Sequence, residues 1–417
     1  MTPEVKERIE QIRHGNVPEG YALSEMTIFP AEWNLVSIAD VGTVITGSTP
    51  PTANTDYYAG KKLFITPADF NTGLYIRESE RTISDAAYSV SRIIPPNSIY
   101  VVCIGATVGK INMCADAAVC NQQINAVVPK KGNDSVFLYY CIDYFFNKMK
   151  KKYIGEQTLP IVSKGQFSKI HIVLPQIEEQ RKVANILTEQ DGIIELKEKL
   201  LEEKQRQKKY LMQQLLTGKK RLPGFDGEWM HVRANQIFKN VTDKKHDGTL
   251  EVLSATQDRG IIPRSQVDID IKYAEESLTG YKKVVRGNFV ISLRSFQGGI
   301  EYSEYTGIVS PAYTVLSSIY PIEDNYYKQF FKSADYINRL NIAVYGIRDG
   351  KQISYDDFGR IKIPYPPLEE QKAIAEVLTT ADREIEILKK TIEQEKQKKK
   401  ALMQLLLTGI VRVTTQK

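Results

Sequence analysis

The sequence predicts an α+β protein built twice over: two mixed α/β domains separated by two long helices that form an antiparallel coiled coil, with a pseudo-twofold internal repeat. Three observations predict it. A stretch of forty-four residues occurs twice, 191 residues apart and without a gap. Both copies carry the apolar spacing of a long helix. The segments that precede the copies look unlike one another, yet both mix short β-rich runs with helical ones.

The copies run from Pro175 to Gly218 and from Pro366 to Gly409, and twenty-one of the forty-four positions are identical. Phe167, Ile170 and Ile172 match Phe358, Ile361 and Ile363 in the same register, and Glu32-Trp33 and Glu228-Trp229 open the two dissimilar segments. Proline just before each copy and glycine at its end are helix punctuation. In the second copy Ile374, Leu378, Ala381, Ile385, Leu388 and Ile392 alternate at spacings of four and three, and Leu402 and Leu406 resume the register after Glu395 and Lys399. The first copy places Val183, Leu187, Ile194, Leu201, Leu211 and Leu215 at equivalent positions, with Ile186, Ile193 and Leu200 widening the stripe. A heptad stripe needs a partner, and each copy offers one to the other. The connectivity sends the second helix back toward the first domain, so the pair is antiparallel. Forty-odd residues at a rise of about 1.5 Å make a spacer of roughly 60 Å, the length of ~18 base pairs.

The resulting order is an N-terminal extension (1–32), a first variable domain (33–174), a first spacer helix (175–221), a second variable domain (222–365), and a second spacer helix with its tail (366–417). Ser98 to Ile104 and Asn288 to Leu293 read as strands; Tyr139 to Lys152 and Tyr326 to Leu340 read as helices.

Composition narrows the class. A hydrophobic fraction of 42% and a charged fraction of 25% describe globular domains with cores. The net charge of +6 permits a polyanionic partner without demanding one. Cys103, Cys114, Cys120 and Cys141 form no C-x-x-C pair, so buried free thiols are expected rather than a zinc site or disulfides. The charged first twenty residues lack the apolar core of a signal peptide, and no stretch reaches membrane-spanning length, so a cytoplasmic protein is expected.

Signatures of catalysis are missing. Gly105 to Lys110 falls one residue short of a phosphate-binding loop and reads as a turn between strands. Neither Pro95-Pro96 nor Pro366-Pro367 follows the Asn or Asp that an amino-methyltransferase tetrad needs. Glu-x-Lys triplets such as Glu195 to Lys197 sit on the predicted coiled coil, where they read as flank charges. The histidines His14, His171, His231 and His246 are scattered. A binding protein is expected rather than an enzyme.

The motifs flanking the helices carry a resemblance. Leu174 to Gln180 and Tyr365 to Gln371 lead into the helices with Glu-Glu-Gln, and Leu211 to Trp229 and Ala401 to Arg412 lead out of them. Together with the loops Gly47 to Pro50 and Gly105 to Lys110, they make the chain resemble the specificity subunit of type I restriction–modification enzymes over nearly its whole length. The second variable domain lacks both loop forms. The resemblance implies two target recognition domains, each reading one half of a split, asymmetric site on double-stranded DNA, with the helices fixing the gap. It implies two methylation subunits as partners, which would bring S-adenosylmethionine, and restriction subunits as further ones; this chain itself would hold no cofactor and no metal.

Reading base edges favours Arg and Lys for guanine and Asn and Gln for adenine. Candidates near polar or Gly/Pro-rich turns are Lys61, Lys62, Arg77, Arg81, Lys110, Gln122 and Gln123 in the first domain. In the second they are Arg259, Arg264, Arg294, Gln297, Arg348 and Lys351. Tyr57 and Tyr58 read more simply as packing residues. The alternatives are a coiled-coil scaffold with protein-binding end domains, and an enzyme with an unrecognised site.

Overall fold

A computed structural model describes residues 2–58, 60–71, 73–154, 159–267, 275–344 and 353–413. Both repeated stretches are helices, Ile177–Leu215 and Leu368–Leu407. Each is followed by a glycine in the left-handed region, Gly218 (φ 71°) and Gly409 (φ 69°), where any side chain would strain the backbone. A Cβ at either position would also press on an indole, that of Trp229 or of Trp33. The chain forms two compact units: Met1–Glu198 with Lys390–Lys417, and Lys199–Lys389.

The first unit is organised on a five-stranded sheet in the order Gly42–Thr46, Ile124–Pro129, Ser98–Val102, Ile111–Cys114, Tyr75–Ile76. Only the last pair is parallel. Ser98–Val102 is buried throughout because both faces of the sheet are covered. Ile99 and Val101 enter one core with Phe137, Phe145 and Phe146 of the helix Ser135–Ile154. Tyr100 and Val102, pointing the other way, enter a second core with Ile65, Phe70 and Ile76. The strand pair Asn34–Ser37 and His171–Leu174 leads into the first long helix. The N-terminal extension folds as the helix Pro3–Arg13 and the hairpin Tyr21–Leu23 with Ile28–Pro30. It rests on the tail: Arg8 donates to the Ile410 carbonyl at 2.8 Å and Tyr21 to that of Gly409 at 2.9 Å.

All four cysteines are free and buried in this unit. Burial pushes the thiols of Cys103 and Cys120 up to about 12, and raises Cys114 and Cys141 as well. With all four sulfurs buried and burial favouring the thiol over the thiolate, the native chain is expected to react negligibly with an aromatic disulfide reagent and to release all four thiols only on unfolding. Rapid reaction of any one of them in the native state would show that its core opens.

The second unit carries a four-stranded antiparallel sheet in the order Phe238–Val241, Thr314–Ser318, Phe289–Ile291, Glu301–Tyr302. The strand order repeats that of the first four strands of the first unit, although the sequences look unrelated. The pair Met230–Arg233 and Lys362–Tyr365 likewise leads into the second long helix. The single helix expected over Tyr326 to Leu340 is broken into Asp324–Phe330 and Ala334–Val344. Ser333 causes the break: its hydroxyl donates to the Phe330 carbonyl at 2.7 Å and accepts the Tyr336 N–H at 3.3 Å, ending one helix and capping the next. The bend lets Phe331 and Tyr336 pack on each other (4.9 Å) and Phe331 reach Phe238 and Phe358.

In each unit the long helices meet in opposite directions. In the first, Gln190 donates to Glu395 at 2.9 Å, Lys399 pairs with Asp191 at 2.6 Å and Lys396 with Glu198 at 2.7 Å. In the second, Lys204 pairs with Glu384 at 2.7 Å and Lys208 with Asp382 at 2.5 Å. The polar interruptions at Glu395 and Lys399 are therefore cross-helix pairs, and the Gln190 hydrogen bond holds the Glu395 carboxyl below its usual range. Val183, Leu187, Ile194, Leu215, Ile374, Leu378, Ile385 and Ile392 are buried as the heptad predicts. Ile193 and Leu200, expected to widen the stripe, are exposed together with Leu196, because one facing helix covers only a narrow seam.

A clamp closes each helix pair. Arg221, beyond the end of the first long helix, makes two hydrogen bonds to the fully buried Glu370 (2.6 and 2.7 Å), and the Trp229 indole donates to the same carboxylate at 2.8 Å. Arg412 repeats this on Glu179, with both bonds at 2.7 Å, and lies over Trp33 as Arg221 lies over Trp229. The following glutamine ties helix to domain: Gln180 accepts the Asp134 N–H and Gln371 the Glu323 N–H, both at 2.9 Å. The second Glu of each Glu-Glu-Gln and the Arg of each exit motif are thus halves of one contact, covered by Trp229 in one clamp and Trp33 in the other.

Candidate nucleic-acid interface

In the first unit four loops converge at one edge of the sheet. The loop after Gly42–Thr46 is laced to the turn before Ile124–Pro129: Gly47 N–H donates to the Ile124 carbonyl at 3.0 Å and Ser48 N–H to that of Cys120 at 2.8 Å. A Cβ on Gly47 would come within 2.2 Å of the Asn121 carbonyl, so only glycine permits this approach. The Thr49 hydroxyl donates to Gln122 Oε1 at 2.5 Å, and Tyr58 donates to the Pro50 carbonyl at 2.7 Å. Arg81 lies 5.9 Å from the Tyr58 ring. Arg92 donates to the Thr46 carbonyl at 2.9 Å from a third loop. The fourth is the hairpin between Ser98–Val102 and Ile111–Cys114, where Gly105 (φ 102°) and Gly109 (φ 99°) shape the turn read from the sequence. The structure thus places Gln122 and Gln123 in this cluster, with Arg81 reaching it through Tyr58. Gln123, however, is spent internally: its carbonyl accepts from Asn121 at 2.9 Å and its amide reaches the Ile104 carbonyl at 3.5 Å.

Other first-domain candidates are placed differently. Lys61 and Lys62 are exposed; Lys62 faces Asp85 at 3.6 Å and the Tyr88 ring at 5.4 Å. Lys110 is exposed at the foot of the hairpin. Arg77 stands apart, on the wall of a cavity of about 600 Å³ shared with Tyr140, Asp191, Glu198 and Lys399. Tyr57 and Tyr58 pack on the small core of Phe64, Ile83, Ala87 and Val119, the simpler of their two readings.

In the second unit Arg259 sits in the turn between Leu253–Thr256 and Gly260–Pro263, where it donates to the Gln266 carbonyl at 3.2 Å. Arg264 is partly buried, with Nε on the Ser254 hydroxyl at 3.4 Å. Arg294 and Gln297 are exposed on the loop between Phe289–Ile291 and Glu301–Tyr302. That loop holds the place of the first-domain hairpin in the strand order, so the counterpart that the sequence seemed to lack is present in another form. Arg348 and Lys351 lie outside the described residues.

Three residues at these loops escaped sequence reasoning. Asn147 and Lys150, on the helix Ser135–Ile154, donate to the carbonyls of Gly109 and Val108, each at 3.1 Å. Lys332 donates to the Gln257 and Gly298 carbonyls at 3.1 and 2.9 Å and pairs with the buried Glu301. Burial pushes the carboxyls of Asp143, which accepts from Asn147, and of Glu301 upward, against the pull of Lys399 and Lys332 respectively. No pattern in the sequence marks these groups, two on a helix and one in a helix break; only the fold shows where they reach.

Among the described residues no three His, Cys, Asp or Glu side chains are grouped to hold a metal, and no helix is long and apolar enough to cross a membrane.

The family model described as the type I restriction modification DNA specificity domain matches the chain twice, at residues 30–205 and 227–397. The type I restriction enzyme MjaVIII specificity subunit of Methanocaldococcus jannaschii is 27% identical over 411 residues, spanning 92% of this chain and 94% of that one. The HindI specificity subunit of Haemophilus influenzae is 32% identical over 169 residues, 38% of this chain and 36% of its own. A chain from a structural study of complex assembly and conformational transition in a type I R-M system superposes with a TM-score of 0.61 at 17% identity, covering 92% of this chain and 99% of that one. The S subunit of a type I system from M. genitalium gives 0.54 at 14% identity, covering 94% and 99%. At such identities the likeness is one of fold.

Proposed function

Because the chain belongs to the type I restriction–modification DNA specificity family, as a specificity subunit with two recognition domains, we propose that each domain reads one half of a bipartite, asymmetric site on double-stranded DNA. The observation that carries this reading is the pair of loop clusters, built at matching places on two sheets of the same strand order and bearing different side chains. Gln122 and the neighbouring Arg81 at one, with Lys110 at the foot of its hairpin, and Arg259, Arg294 and Gln297 at the other, offer the donors that base edges and phosphates accept. Lys61, Lys62, Arg77, Arg264, Arg348 and Lys351 would serve as phosphate contacts or as framework. Different loops predict different half-sites.

In this reading the two long helices act as an antiparallel coiled-coil spacer that sets the gap. Opposed contacts such as Gln190 with Glu395 and Lys204 with Glu384 support it. The exposed Ile193 and Leu196 of the first unit offer an apolar seat for methylation subunits, two of which would dock on the helical region. Those subunits would bring S-adenosylmethionine as methyl donor, and restriction subunits would join them; this chain would itself be non-catalytic and cytoplasmic.

Co-expression with a partner methyltransferase, followed by sequencing of modified bases in the host genome, tests the proposal. A split, asymmetric motif that depends on this chain is expected. Binding should also weaken steeply with salt, by a slope of about −0.9 per phosphate neutralised in log K against log salt. No motif and no salt-dependent DNA binding would favour the scaffold alternative.

A further inference from the structure

Lys332 lies in the break between Asp324–Phe330 and Ala334–Val344, so the Ser333 cap that ends one helix leaves the lysine free to turn toward the sheet. Its ammonium group has three protons and three acceptors: the Gln257 carbonyl, the Gly298 carbonyl and Glu301. Gln257 opens the turn that carries Arg259, and Gly298 follows Gln297 on the loop that carries Arg294. One side chain therefore ties two separate loops to each other and to a strand. Glu301 is 2% exposed and fixes the lysine from below. The fit is close: a Cβ on Gly298 would meet the Gln257 side chain at 2.9 Å, and one on Gly299 (φ 82°) would overlap the Phe331 carbonyl at 2.0 Å. In the first unit Asn147 and Lys150 grip the hairpin carbonyls from the corresponding helix, and Asn147 is held in turn by Asp143.

We propose that Lys332 is the positioning residue for base reading by the second recognition domain, locking the Arg259 turn and the Arg294–Gln297 loop into one rigid surface through Glu301. The inference rests on the DNA-reading function proposed above. Lys332 contacts no base; it fixes the geometry of residues that do, and a bidentate base contact tolerates little displacement.

The test uses the full chain with Lys332→Met, and with the double change Lys332→Met/Glu301→Leu, which avoids leaving a buried carboxylate unpaired. Two measurements are made. Amide hydrogen exchange should accelerate by about tenfold or more across 257–260 and 294–299 and stay unchanged across 104–110. Selection from random duplex DNA should return a motif in which one half is degenerate and the other half is as sharp as with the unmodified chain. Unchanged exchange in both segments, or a motif sharp in both halves, overturns the inference. Equal loss of both halves overturns it too, since it marks a general structural role. If the unmodified chain selects no motif, the DNA-reading function fails instead, and the exchange result still decides whether Lys332 locks the loops.

Discussion

Replacing Arg221 with alanine should destabilise the second unit by about 3 kcal/mol, the lower end of the range for breaking a buried ion pair. Glu370 is fully buried, and without the guanidinium it keeps one donor, the Trp229 indole. The arginine side chain retains 23% exposure, which argues for the lower end. Urea unfolding should show the midpoint fall with an unchanged slope. Changing both partners, Arg221→Met with Glu370→Gln, should recover part of the loss because no charge is then stranded. Equal losses in single and double variants would mean that packing of the arginine, and not its charge, holds the clamp.

The spacer makes the second large prediction. Removing one facing heptad from each long helix shortens the pair by about 10 Å, the rise of ~3 base pairs. The modified motif in the host genome should keep both half-sites and lose about three base pairs between them. A whole heptad is required, since it returns the apolar seam nearly to register, whereas removing five residues would rotate the helix by about 140° and turn Leu187 and Leu378 toward solvent. Half-sites that change while the gap stays constant would defeat the spacer reading.

The plan of the chain was open to sequence reasoning because repetition and heptad spacing are long-range regularities that no local detail disturbs. Ile374, Leu378, Ile385 and Ile392 lie buried where their spacing puts them. The relation between the two variable domains was not legible, because a sheet constrains burial pattern and strand order and leaves loop sequence free. Ser292 to Ile300 does the architectural work of Cys103 to Lys110 with a different length and different turns. The helix break at Ser333 was missed because the apolar pattern continues across it; a serine hydroxyl outweighed it locally. Turn chemistry picks Arg81, Gln122 and Gln123 alike, and only the fold shows that the Gln123 amide serves its own loop. The role of Arg412 on Glu179, 233 residues away in sequence, could only come from the folded chain.

The two clamps also give the molecule an optical property. Trp33 and Trp229 are its only tryptophans, one in each clamp. Their surroundings differ: the Trp229 indole N–H is hydrogen-bonded to a carboxylate, whereas that of Trp33 has no partner among the described residues. Tryptophan emission, excited selectively over that of the 23 tyrosines, is therefore expected from two sites in different surroundings, each reporting the junction where one long helix is fastened to the other. In a chain carrying Trp33→Phe the tryptophan emission comes only from the second junction, and in one carrying Trp229→Phe only from the first. The opening of either end can be followed by its own light, without a label.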